Sequence, residues 1–236
     1  MTLRRRVLLA HAAAGLHAMP AFALDEGPLR QAITDDVPEE ALVKAWPGVA
    51  DRTLVAWTDD DGAAPADSQA PDVVDLTVLV VQTSTGRVLQ RFHEDKVFNS
   101  AAVQFDHIDL DTADYTLAPG RRAFGVRVFG RHLGFVAEDT TTLLLLEPEG
   151  AALRKVLTLQ TLSHLATRDC GEGRDLTRTI AIATTATRGH ADLVVHERRA
   201  DTPDGSAHPS DCHPKVRRSE RTTTLRFDGT AYPTPR

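Results

Sequence analysis

Apolar residues recur along this chain mainly at alternate positions, in short runs that end at Gly, Pro, Asp or Ser. A period of two places successive side chains on opposite faces of an extended backbone, so the pattern predicts strands. The first group is "RTLVAWT" (Arg52 to Thr58), "VVDLTVLVVQT" (Val73 to Thr83) and "GRVLQRF" (Gly86 to Phe92), with Ser84, Thr85 and Gly86 as a hairpin turn. In its middle run Val74, Leu76, Val78 and Val80 share one face, and Leu79 with Val81 make the other face apolar too. Such a strand needs cover on both sides and belongs in the interior of a sheet.

A second group follows in "SAAVQFDHIDL", "DYTLAPG", "RRAFGVRVFGR", "TTTLLLLEPEG" and "AALRKVLTLQTL". Leu143 to Leu146 is apolar on both faces and is ended by Pro148 and Gly150, which favours a buried strand over a helix. A third group, "DLTRTIAIATTATR", "HADLVVHERR" and "KVRRSERTTTLRFDGTAYP", forms a meander with a turn at Gly189 and a hairpin at Asp228 and Gly229. Its last strand, with Arg217, Arg218, Glu220 and Arg221, has little apolar face and should be exposed or at an edge. Before these groups, Pro38 to Ala45 reads as a short helix, with Asp35 and Asp36 near its start and Pro47 and Gly48 stopping it. Strands at this spacing, with no alternating helices, exclude a parallel α/β design. They predict an all-β fold: an antiparallel sandwich, open barrel or partial propeller with a short N-terminal cover helix.

The layout of Gly189, Asp192 and Leu193 followed by Phe227, Asp228, Gly229 and Tyr232 resembles the strand pair of exported bacterial proteins that carry FG-GAP-like repeats. The resemblance covers about 15 residues and occurs once. It implies β architecture and export, and it assigns no activity.

Residues 1–23 combine three arginines, an apolar stretch from Val7 to Met19 and small residues at Ala21 and Ala23, which is the pattern of a cleaved export signal. Residues 24–236 then form a single all-β domain, with a sub-division near residue 150 as the alternative, and the expected location is periplasmic or secreted. No apolar run reaches the ~20 residues of a membrane-spanning helix. In an oxidising compartment Cys170 and Cys212, the two cysteines of the chain, are expected to pair. The bridge would close a loop of about 43 residues, contributing on the order of 4 kcal/mol by the chain-entropy argument. "HPSDCHP" (His208 to Pro214) also offers His208, Cys212 and His213 as metal ligands. The adjacent Cys212 and His213 point apart on an extended chain, and oxidation removes the thiolate, so the disulfide is the favoured reading.

Loss of the leader removes three arginines and no acid, leaving 24 basic against 33 acidic residues, a net charge of -9. Residues 24–150 carry 10 basic and 23 acidic residues, a net of -13, whereas residues 151–236 carry 14 against 10. This balance disfavours nucleic acid and anionic membrane as partners and favours a basic protein partner, met at Asp59, Asp60 and Asp61. There is no G-x-S-x-G, G-x-x-x-x-G-K-[ST], H-E-x-x-H or G-x-G-x-x-G. Ser163 beside His164 is not a dyad, because neighbours on a strand diverge. Arg121 and Arg122 follow an ordinary Pro119–Gly120 turn. Two acidic clusters are candidates for weak calcium binding: Asp59, Asp61 and Asp67, and Asp106, Asp109 and Asp111 with Asp114 nearby. Neither keeps the spacing of a true calcium loop. The function these features favour is a non-catalytic binding module, ahead of an envelope-acting hydrolase and of a periplasmic immunity or inhibitor protein.

Overall fold

The computed structural model describes residues 29, 31, 33, 37–60, 72–100, 103–132, 136–167, 173–202 and 215–235. They form eleven strands: β1 (Leu42–Ala45), β2 (Arg52–Asp60), β3 (Asp72–Gln82), β4 (Val88–Ser100), β5 (Gln104–Ala118), β6 (Arg121–His132), β7 (Val136–Glu149), β8 (Ala152–Thr167), β9 (Gly173–Thr187), β10 (His190–Thr202) and β11 (Arg217–Leu225). The molecule is all-β. The strands make one open sheet in the order β1-β2-β3-β4-β8-β7-β6-β5, and β9, β10 and β11 continue from β8 as a branch. No helix among the described residues is long and apolar enough to cross a membrane.

The branch exists because β8 is 16 residues long and meets different neighbours at its two ends. Its first residue, Ala152, touches Arg91 of β4 in parallel, while Leu162 to Ala166 pair antiparallel with Gly173 to Thr177 of β9. The sheet therefore folds over itself into three layers, β1–β4, β5–β8 and β9–β11.

The alternating side chains of the middle layer explain the stacking. Leu144 and Leu146 of β7, with Ile108, Leu110, Phe124 and Val126, pack against Leu54, Leu76, Val78 and Val80 of the first layer. Leu143 and Leu145 face the other way and, with Leu157 and Leu159 of β8, pack against Leu193, Val195 and Leu225 of the third. Fully burying one such side chain stabilises by roughly 1.5–3 kcal/mol, so a strand that is apolar on both faces belongs in the middle layer. The outer face of β2 and β3, with Val55, Trp57, Leu79 and Val81, is covered by Leu29, Ile33 and Ala41.

Three expectations are corrected. Pro38 to Ala45 is not a cover helix: Leu42 to Ala45 is β1 and pairs with Thr53 to Ala56 of β2. Leu42 and Val43 then serve two different cores on opposite faces of the strand, which a helix of this length could not do. A helix-type hydrogen bond occurs earlier, from the Ile33 amide to the Leu29 carbonyl at 3.1 Å. The sheet is mixed rather than wholly antiparallel, by the single parallel contact of β4 and β8. Asp228 and Gly229 do not link two strands: the Asp228 carboxylate accepts the amides of Thr230 and Ala231, turning a segment that follows β11. The turn at Gly189 is as expected, with φ of 51° at Arg188 and 82° at Gly189, the double positive-φ geometry of a tight hairpin.

Candidate functional site

Beyond Thr177, β9 separates from β8 and its Ile180 and Ile182 join the core of the third layer. Where the two strands part, a crease opens between β9 and the facing surface of β5–β8. It comprises two contiguous cavities of about 700 Å³ and 430 Å³ that share Phe129, Thr141, Leu162 and Thr177.

Register decides which side chains meet there. One row across four strands is Phe129, Thr141, Leu162 and Thr177. Two residues further along, on the same face, lies Arg131, Asp139, His164 and Asp175. The Arg131 Nε donates to Asp139 Oδ1 at 2.9 Å, and the His164 ring pairs through Nδ1 with Asp175 Oδ1. The hydrogen bond it donates to Asp139, reinforced by the charges of Asp139 and Asp106, holds the Arg131 guanidinium pKa above its ordinary value. At the β5 end the His107 and Phe129 rings stack at 4.2 Å and 8°, and His107 Nδ1 lies 3.1 Å from Asp106.

At the inner end, Arg127 donates from Nη2 and Nε to Asp111 Oδ2 at 2.6 and 3.0 Å, and the Tyr115 hydroxyl donates to the same oxygen at 2.9 Å. Burial raises the Asp111 pKa, but the Ala113 amide, Arg127 and Tyr115 outweigh it and leave the carboxyl below its ordinary value. Burial, then the Asp111 charge, pushes the Tyr115 phenol up to about 12. Arg178 completes this end, paired with Glu197 at 2.7 Å.

The sequence-predicted acids lie on β5 and β2 and are separated. Asp106 and His107 line the crease. Asp109 reaches Lys44 of β1 at 3.9 Å, and Asp114 reaches Arg122 at 3.6 Å. Asp59 is exposed, accepts the Trp57 indole N–H at 3.2 Å and lies opposite Asp75 in the β2–β3 register. Asp61, Asp67, the Asp60 side chain, His208, His213, Cys170 and Cys212 lie outside the described residues.

Among the described residues, one set of groups has the spacing to hold a metal ion: Asp75, His93 and Asp95, whose ligand atoms lie within 4.8 Å of one another. Thr77 Oγ1 contacts His93 Nδ1 at 3.0 Å, and the Asp75 carboxylate accepts the Lys96 amide at 2.7 Å where the β3–β4 register shifts.

Sequence reasoning missed the pairs Arg131–Asp139 and His164–Asp175 and the Asp75–His93–Asp95 set. The first two straddle connections between adjacent strands, so counting outward from each turn for opposite charges on one face was the available signal. Ser163 and His164 do diverge: Ser163 pairs across to Thr140 and Leu176, on the face opposite His164. The start of β10 packs against the end of β11 and the segment that follows it. His190 stacks on Phe227 at 4.0 Å, Leu193 pairs with Leu225, and the Tyr232 hydroxyl donates to the Ala191 carbonyl at 2.6 Å. No protein-family model, curated protein or solved structure matches the chain.

Proposed function

We propose that this chain is an exported binding module of the periplasm or the extracellular space, without catalysis of its own, and that its ligand lies in the crease between β5–β8 and β9. The observation that carries the reading is the crease itself. It has the volume of a ligand site, Phe129 and Leu162 among threonines at its centre and polar groups fixed along its flanks. Export is supported by residues 1–23. A binding role is favoured over hydrolysis because His164, though oriented by Asp175, has its neighbour Ser163 on the far face of the strand. The pair is set to orient and hydrogen-bond a ligand.

The test is differential capture from envelope extract, using the wild-type chain, the crease variant Phe129→Ala/His164→Ala and the acidic-face variant Asp59→Asn/Asp60→Asn/Asp61→Asn. Material held by the wild type and lost from the crease variant alone supports the reading; equal retention by both would overturn it. A second reading, a basic protein partner on the acidic face, is favoured by one observation: among the described residues no Lys or Arg side chain forms an ion pair with Asp59 or Asp75. That reading predicts the reverse, with loss from the acidic-face variant and an association rate that falls as salt rises.

A further inference from the structure

We infer that the crease takes an uncharged oligosaccharide. The inference rests on the crease being the binding site and adds the chemical class of its ligand.

Each arginine in and beside the crease is held by a carboxylate, Arg131 by Asp139, Arg127 by Asp111 and Arg178 by Glu197, and the His164 and His107 rings contact Asp175 and Asp106. An anionic ligand would have to break one of the arginine pairs to find a counter-charge. A sugar hydroxyl donates one hydrogen bond and accepts others at the same atom, so it gains most where a donor and an acceptor stand side by side. Arg131 with Asp139 presents an N–H beside carboxylate oxygens, and Thr177 and Thr179 add hydroxyls on the facing wall. The partners hold each other in place, so little freedom is lost when a ligand arrives.

The apolar part of the surface fits as well. The rim of the His107–Phe129 stack and Leu162, with Thr141 between them, make a partly apolar strip along which the C–H groups of a pyranose ring can lie. Four strands at about 4.8 Å spacing make the strip roughly 14 Å long, more than one sugar ring covers. At this end β6, β7 and β8 are each paired on both sides, so strand addition by a peptide is confined to the outer edge of β5, which pairs only with β6.

The experiment is isothermal titration of the full mature chain with three neutral tetrasaccharides, β-1,4-glucose, α-1,4-glucose and β-1,4-mannose, and with tetragalacturonate and an uncharged tetrapeptide as contrasts. At least one neutral tetrasaccharide should bind tenfold or more tighter than the uronate. His107→Ala, whose side chain is 55 % exposed, and Phe129→Ala should each weaken that binding at least tenfold. Asp139→Asn frees Arg131 and should shift the uronate-to-neutral ratio at least fivefold towards the uronate. Binding of the uronate or the peptide alone, weakened by His107→Ala, would overturn the sugar inference and leave the crease as a site. Binding of a neutral sugar that neither His107→Ala nor Phe129→Ala changes would overturn the crease itself. No binding of any neutral tetrasaccharide would overturn the inference.

Discussion

Asp111 holds in place Arg127 and Tyr115, which line the inner end of the crease. It accepts from Arg127, Tyr115 and the Ala113 amide, and its side chain is only 14 % exposed. Asp111→Asn should cost about 2 kcal/mol at neutral pH, the scale of lost hydrogen bonds to a charged group. The pH dependence follows from the lowered carboxyl pKa. In the unfolded chain the group titrates near 3.8 and in the folded chain below it, so its stabilisation is complete above that value and is lost as pH falls through the folded one. Urea denaturation from pH 7 downward should show a constant gap between wild type and variant that closes below about pH 4. A gap that persists in acid would mean that the charge is not what stabilises. Sequence reading grouped Asp106, Asp109 and Asp111 as one cation site, whereas along a strand same-face side chains stand roughly 6–7 Å apart and each meets a different neighbour. Their partners, His107, Lys44 and Arg127, come from three strands, and only the register of the sheet identifies the last two.

At the level of elements, β8 leaves an edge open between its contacts with β4 and β9, and the segment after β11 covers it. The Tyr232 amide donates to the Val156 carbonyl at 2.7 Å, Thr234 Oγ1 donates to the Thr158 carbonyl at 3.4 Å, and Arg178 reaches the Gln160 carbonyl at 3.1 Å. Tyr232 is 3 % exposed and its ring packs against Phe227. Tyr232→Ala should therefore destabilise by about 3–5 kcal/mol and expose the β8 edge to self-association. Tyr232→Phe keeps the ring and should cost only about 1 kcal/mol. Thermal unfolding combined with light scattering checks both, and a monomeric, near-native Tyr232→Ala would show that the segment does not protect the edge. The strands themselves were legible because alternation and turn residues are local signals, and β7 was legible even as a two-sided core strand. The helix expected over Pro38 to Ala45 failed because four acids and a proline imitate a helix start. The pairing of Leu42 to Ala45 with β2, a tertiary contact, decided the conformation instead.

For the molecule as a whole, the three-layer stack depends on one long strand that changes neighbours part-way, and the crease is the consequence of that change. Strand length and alternation announced the strands, but a branch point has no local signature, so the crease could not be read from the chain. The charge asymmetry could be read, since it needs only composition. It leaves two surfaces in competition, an acidic face around Asp59 and Asp75 and a crease whose arginines are paired. Hydrogen-exchange mass spectrometry of the mature chain, with and without the tightest-binding neutral tetrasaccharide, separates them most directly. The account predicts protection confined to peptides spanning 104–111, 127–131, 139–143, 161–164 and 175–180. Protection centred on 52–60 and 72–77, with those peptides unchanged, would contradict it.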